Sequence, residues 1–517
     1  MMRSMLCVVA AGMMAGAELA WAQTPDATTP AQAGPAQAGP AGFANREALA
    51  WWYLQVDQAW ERARPGKDAA GIRAAHEAFD TATLSFFKMD MAGAVRQLAR
   101  LRGQLETGAA DQMVMPIALE VEPRVWIPPA SEPTVRLLSA DGAGGVGDVE
   151  LVIEAKAASG ESLLRREIRA DRGALARGEV MVSGIDWPAL RDGMERTGGG
   201  DAAKRMPVSV QWTVTQAKAV VGADRLIIAP WSLSERKMQV LARLDVLEGT
   251  SADADRRMAR SRAALLTDAP SRNKASEFLA QYATLPASLD REVEQIAAGK
   301  SPYPLDGTWW TTVRAGKVTA PLWFSSPAER KSGRPLLVVF HGAGGDESMF
   351  VFGYGQGALV REAVRRGMVV ASPATGATMG SPRVFEAVVS EASRLYGIDP
   401  SRVYVAGHSM GGGAVSSLAQ RYPTRLAGAV CFAGGNFEAS KQCCPTLMLG
   451  GEIDPIIPGP RLGIGAKQCI DAGLPITFTL CPGNGHTFIV GDHVGVALDF
   501  LGERKSVVPF TDKEPQK

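Results

Sequence analysis

Residues 407–411 read Gly-His-Ser-Met-Gly, a G-x-S-x-G pattern inside RVYVAGHSMGGGAV (402–415). That spacing suits a serine nucleophile on a tight strand-to-helix turn. A glycine two positions away on either side leaves room where a Cβ would strike the neighbouring strand or helix. In a chain with 56 glycines the pattern decides nothing by itself. Its flanks do: Val403-Tyr404-Val405-Ala406 reads as a buried strand, and Gly411 to Gln420 as a helix. Ser409 is then the candidate nucleophile, Gly407 and Gly411 are the elbow glycines, and the helix turns its positive end toward Oγ.

Such a serine needs a base and an acid that orients the base, in the chain order Ser, acid, His. Only His486 and His493 follow Ser409. His486 stands in the Gly-rich loop CPGNGHTF after the strand ITFTLC, a better place for a general base than His493 at the start of a final helix. Among the downstream acids, only Glu452 and Asp454 directly follow a buried strand, TLMLGG. Pro455 pushes Asp454 toward an extended conformation, which makes Asp454 the first candidate and Glu452 the reserve. An oxyanion hole would combine the N–H of Met410 with that of Ala343 or Gly344, in the loop that ends LLVVFHGAGGDE. A phosphate loop is the rival for this glycine run, but no Gly-Lys-Ser/Thr follows. GYGQGA (353–358) fits a dinucleotide fingerprint only superficially, since no strand directly precedes it. His341 reads as structural. No metal or cofactor is required.

These residues need a sheet to hold them. From RPLLVVFHG through MVVASP, RVYVAG, LAGAVCFAGG and CPTLMLGG, unbroken apolar runs alternate with amphipathic helical stretches. That is the pattern of a doubly wound, mostly parallel α/β sheet, whose crevice lies at the carboxyl ends of its strands. This domain is expected over 301–503, with a charged tail at 504–517. Upstream, 45–112 reads as helical: Leu49, Trp52, Tyr53, Val56 and Trp60 share one helix face. Those aromatics read as core rather than a ligand stack, and His76 as a surface or interhelical residue. Short alternating runs over 113–231 predict an antiparallel β-sandwich-like region. Helical character returns over 232–300, and the two helical stretches could pack as one unit with the sandwich inserted.

At 517 residues several domains are expected, and 55 basic against 54 acidic residues argues against nucleic acid or an anionic membrane surface as partner. Hydrophobic content of 46% and charged content of 21% are those of a globular protein. Arg3, an apolar run and Ala20-Trp21-Ala22 predict a signal peptide over 1–22 and hence export, periplasmic or extracellular. A repeated AQAGP over 23–44 predicts a disordered spacer. No later stretch is apolar for long enough to predict a membrane span. Five cysteines remain past the leader, Cys431, Cys443, Cys444, Cys469 and Cys481, so at least one stays unpaired in a single chain.

PLLVVFHGAGGDE, YGIDPSRVYVAGHSMGGGAV, GGEIDPIIP and GNGHTF together resemble α/β-hydrolase fold esterases. The nearest flavour is the secreted polyhydroxybutyrate-depolymerase-like and feruloyl or acetylxylan esterase group. The resemblance covers about 334–500 and departs at His408 and Met410 around the serine, and in the lack of an acidic pair in GSPRVFEAVV. It implies acyl transfer through a Ser409–His486–Asp454 triad on a small-molecule or polymeric ester. Residues 45–300 carry no such resemblance and could bind substrate polymer or another protein, shade the active site or mediate assembly. Two other readings stay open: a serine peptidase of the same fold, and a secreted binding protein whose hydrolase domain is vestigial.

Overall fold

The computed structural model describes residues 46–107, 115–142, 144–197, 206–247, 253–270, 279–379, 381–502 and 504–510. The expected leader and spacer, and 511–517 of the expected tail, lie outside them. Three helices come first: α1 (Arg46–Ala63), α2 (Ala69–Phe87) and α3 (Met91–Thr107). Asp68 caps α2 by accepting from the Gly71 N–H. The apolar face of α1 does bury Trp52, Val56 and Trp60 in a core with Phe79, Val95 and Leu98.

Two small sheets follow. One orders β1 (Ile117–Glu122), β3 (Thr134–Ser139) and β6 (Val180–Met181). The other orders β2 (Val125–Trp126), β8 (Ala219–Ile228), β7 (Val208–Gln216), β4 (Asp148–Ala157) and β5 (Ser162–Asp171). Alternating residues such as Val149, Leu151 and Ile153 meet Leu119, Val121 and Leu137 of the first sheet in one core, so the two sheets form a sandwich. All pairings are antiparallel except the short β2–β8 contact. Helices α4 (Arg172–Arg177) and α5 (Trp187–Thr197) are set into this region.

Next come α6 (Leu233–Val246), α7 (Asp253–Ala263) and α8 (Leu279–Ala297). They do not join α1–α3. Their core takes in Trp310 and Trp323 of the hairpin β9 (Thr308–Ala315) and β10 (Val318–Ser325), whereas α1–α3 share theirs with Ala118, Leu138 and Phe488. The expectation of one helical unit is thereby corrected: each helical group has its own sheet surface to cover.

The large sheet has eight strands, in the order β16-β15-β14-β13-β11-β12-β10-β9. The strands beyond the hairpin are β11 (Leu336–Phe340), β12 (Val369–Pro373), β13 (Val403–His408), β14 (Gly428–Phe432), β15 (Thr446–Gly451) and β16 (Ile476–Cys481), all parallel. Leu336, Val338 and Phe340 face one core, Leu337 and Val339 the other, as a sheet covered on both faces requires. The covering helices are α9 (Met349–Phe352), α10 (Tyr354–Arg365), α11 (Thr375–Met379), α12 (Pro382–Tyr396), α13 (Met410–Arg421), α14 (Gly459–Asp471), α15 (Ile489–Asp492) and α16 (Val494–Leu501). Strand order reverses at β11, whose neighbours are β12 and β13, so the crevice opens beside the ends of β11 and β13. This is the α/β-hydrolase fold. No helix among the described residues is long and apolar enough to cross a membrane. Cys431, Cys443, Cys444, Cys469 and Cys481 are all buried free thiols.

Candidate active site

Ser409 joins β13 to α13 with φ 55° and ψ −116°, a backbone region few side-chain-bearing residues occupy. The strain is held by close crossings on both sides. A Cβ on Gly407 would stand 2.3 Å from the Gly411 carbonyl oxygen, and one on Gly411 would stand 1.9 Å from that of Phe340. The elbow glycines are therefore required by the close approach of α13 to β13, at Gly407, and to β11, at Gly411. Ser409 itself donates its N–H to Phe432 O at 2.9 Å.

The structure brings His486 and Asp454 to Ser409. His486 Nε2 lies 3.0 Å from Ser409 Oγ, and Nδ1–H donates to Asp454 Oδ2 at 2.7 Å. The other oxygen of Asp454 accepts from Ile456 and Ile457 N–H at 2.7 and 2.9 Å, which locks the carboxylate's direction. All three side chains are buried. Glu452 takes a different job: exposed, it accepts from Gly483 N–H and pairs with Arg73. His493 bonds Asn484 and stays away from the serine. His341 is structural: its Nε2 accepts from the Thr375 N–H and its Nδ1 bonds Gly342 O.

Ala343 and Gly344 line a cavity beside Ser409. Met410 begins α13, so its N–H is one of the helix donors without an intrahelical acceptor. Gly344 adopts φ +80°, and its carbonyl, with that of Gly345, accepts from Arg46 of α1. A residue from the N-terminal helices thus holds the candidate oxyanion loop.

The larger contribution of those helices is to His486. Both oxygens of Asp80 accept from the His486 N–H, at 3.0 and 2.9 Å. A Cβ on Gly485 would stand 1.9 Å from Asp80 Oδ2, so the loop needs its glycine there. Burial pushes the Asp80 carboxyl up to about 7, with the His486 backbone N–H pulling the other way. His76 is buried rather than at the surface, and of the two placements expected of it the interhelical one holds: it lies between α2, Trp60 of α1 and Asp492 of α15. Its Nδ1 accepts from Gly485 N–H at 2.8 Å and its Nε2 bonds Asp492 at 2.9 Å, which makes it a neutral tautomer protonated on Nε2. Two residues past His486, Phe488 stacks on Trp60 at 5.2 Å and meets Phe79 at 4.3 Å between ring centroids. Each such aromatic pair contributes about 0.5–1.5 kcal/mol beyond its buried area.

The His486 carbonyl is held from the opposite side. His408 Nε2–H donates to it at 2.9 Å; His408 Nδ1 accepts from Tyr354 OH at 2.8 Å; and the Tyr354 oxygen accepts from Gly342 N–H at 3.1 Å. Every donor in that line finds one acceptor if His408 is neutral, and burial does hold its imidazole well below the ordinary range. His408 is thus the link between the candidate oxyanion loop and the candidate base.

Between the helices and the sheet lies the cavity, about 160 Å³ in volume. Ser409, His486, Ala343 and Gly344 form one side. Leu49, Tyr53, Phe79, Phe86 and Leu98 form the other. The face of α1 is therefore divided: Trp52, Val56 and Trp60 go to the core, while Leu49 and Tyr53 face the site.

Residues 372–497 match the Dienelactone hydrolase family, a stretch that includes Ser409, Asp454 and His486. The match supports a hydrolase. No curated protein matches the chain. Similar solved structures include a thermostable esterase, 20% identical, with TM-score 0.33, covering 38% of this chain and 63% of that one. The chain thus spans less than two thirds of that protein's length. Thermogutta terrifontis esterase 2 phosphorylated by paraoxon is 16% identical, with TM-score 0.32, over 38% of this chain and 94% of its own. A putative dienelactone hydrolase from Klebsiella pneumoniae subsp. pneumoniae is 17% identical, with TM-score 0.31, over 38% and 98%.

Proposed function

We propose that the protein is a serine hydrolase that cleaves carboxylic esters through an acyl-enzyme. The observation that carries this reading is the buried line Ser409 Oγ–His486–Asp454, which opens into the cavity beside Ala343 and Gly344. Ser409 Oγ attacks the ester carbonyl while His486 Nε2 takes its proton. Asp454 holds Nδ1–H and stabilises the imidazolium. The N–H groups of Met410 and of Ala343 or Gly344 receive the oxyanion. His486 then protonates the leaving alcohol, and a water activated by the same base releases the acid. An ester suits the cavity better than a peptide, since the side chains of Leu49, Phe79 and Phe86 offer no partners to an extended backbone.

The finer likeness to polyhydroxybutyrate-depolymerase-like and feruloyl or acetylxylan esterases rests on the quoted motifs alone. Export is part of the same proposal, supported by the charge, apolar run and Ala-Trp-Ala site of residues 1–22. Hydrolysis of p-nitrophenyl butyrate by wild type and Ser409→Ala tests the reaction. The variant should lose at least about 1,000-fold in kcat. Equal turnover by both proteins, or none by wild type on any ester, would refute the reading.

A further inference from the structure

The cavity is a joint product of two parts of the chain, and their contributions differ in kind. From the sheet come the polar atoms of Ser409, His486 and the glycine loop; from α1, α2 and α3 come apolar side chains. Arg46, Tyr53, Thr83 and Asp346 also border it, but the Arg46 guanidinium is engaged with the Gly344 and Gly345 carbonyls and attracted by Asp346, the Tyr53 hydroxyl accepts from the Tyr354 N–H, and the Thr83 hydroxyl donates to the Phe79 carbonyl. The space that a substrate's carbon chain would enter is therefore walled by hydrocarbon.

Its volume sets a scale for that chain. An engineered cavity of about 150 Å³ lined by Leu, Ile and Phe accepts benzene. A space of about 160 Å³ suits a group of roughly six carbons. Phe86 stands where the chain would run past the oxyanion loop: a Cβ on Gly344 would come within 2.3 Å of its ring. Only the acyl part stays attached to Ser409 after the alcohol departs, so the acyl part needs housing through both half-reactions.

We propose that the acyl group of the substrate is compact and apolar, about four to eight carbons long, seated against α1–α3, with Phe86 setting the length. The proposal rests on Ser409 being the nucleophile, as given under Proposed function. Catalysis and substrate length thus reside in different parts of the chain.

The test is kcat/KM for p-nitrophenyl esters from acetate to dodecanoate, beside acetates of alcohols from ethanol to octanol, with Ser409→Ala as control. Each methylene buried should raise kcat/KM about fourfold from acetate to hexanoate, after which the series should level or fall. Phe86→Ala should shift the optimum to longer chains, raising decanoate over hexanoate by about tenfold relative to wild type. Phe86 is only partly buried, so the variant should fold, and a thermal melt checks this; Phe86→Leu gives a milder version of the same shift. Serine-dependent hydrolysis that prefers acetate, follows the alcohol's length, or ignores both Phe86 substitutions would overturn the proposal and leave the esterase reading standing. Absence of serine-dependent turnover throughout would overturn both.

Discussion

His486 is held at four atoms: its ring by Asp454 and Ser409, its N–H by Asp80, its carbonyl by His408. The first two partners were legible from local signals, a serine between glycines and an acid just past a buried strand. Asp80 was not, because it lies 406 residues away and sits in a helix whose pattern announces only an apolar face. His408 was noticed as an oddity of the elbow, but its partner Tyr354 comes from a different helix. Asp80 also makes a pH prediction. Its carboxyl titrates near 3.8 when free and near 7 in the fold, so the folded protein binds the extra proton between those values. Its contribution to stability is then greatest below about pH 4 and declines as pH rises toward 7. Relative to wild type, Asp80→Asn should gain stability across that window, by up to about 4 kcal/mol. Urea denaturation at pH 5 and pH 7.5 measures the difference, which should grow with pH; a difference that is the same at both would mean the carboxylate is ionised throughout.

At the scale of elements, the least regular piece is the start of α10. Tyr354, Gly355, Gln356 and Gly357 have φ of 49°, 78°, 55° and 74°, four left-handed residues in a row. Two are not glycine, which costs about 1–2 kcal/mol each. The turn persists because α1 caps it: Tyr53 OH accepts from Tyr354 N–H, and the Asp57 carboxylate accepts from Gly355 and Gln356 N–H. GYGQGA thus carries its glycines for a turn that aims Tyr354 at His408. Gly357→Ala should destabilise by at least about 2 kcal/mol, since its Cβ would sit 2.1 Å from Val351 O at an unfavourable φ. Gln356→Gly should be neutral or stabilising, by up to about 1 kcal/mol. Thermal denaturation of the two variants checks the opposite signs. The hairpin β9–β10 was not anticipated either. Its Trp-rich alternation buries Trp309 and Phe324 on one face and Trp310 and Trp323 on the other, so it lacks the polar side that marks a half-buried strand.

For the molecule as a whole, the parallel sheet and the sandwich were legible because each repeats one strand signature many times. How the helical stretches dock was not, since an apolar helix face does not name the surface it covers. The proposed export is a statement about the entire chain and is read from its mass. Protein recovered from outside the cytoplasm should lack residues 1–22 and begin at Gln23, by intact mass and N-terminal sequencing. A chain that keeps Met1 would contradict it. Asp80 and His76 precede the loop they hold by about four hundred residues, and contacts so far apart in the chain close late in folding. During synthesis the clamp is made long before the histidine it steadies, so the newborn chain stays unarmed until its last stretch returns to its first.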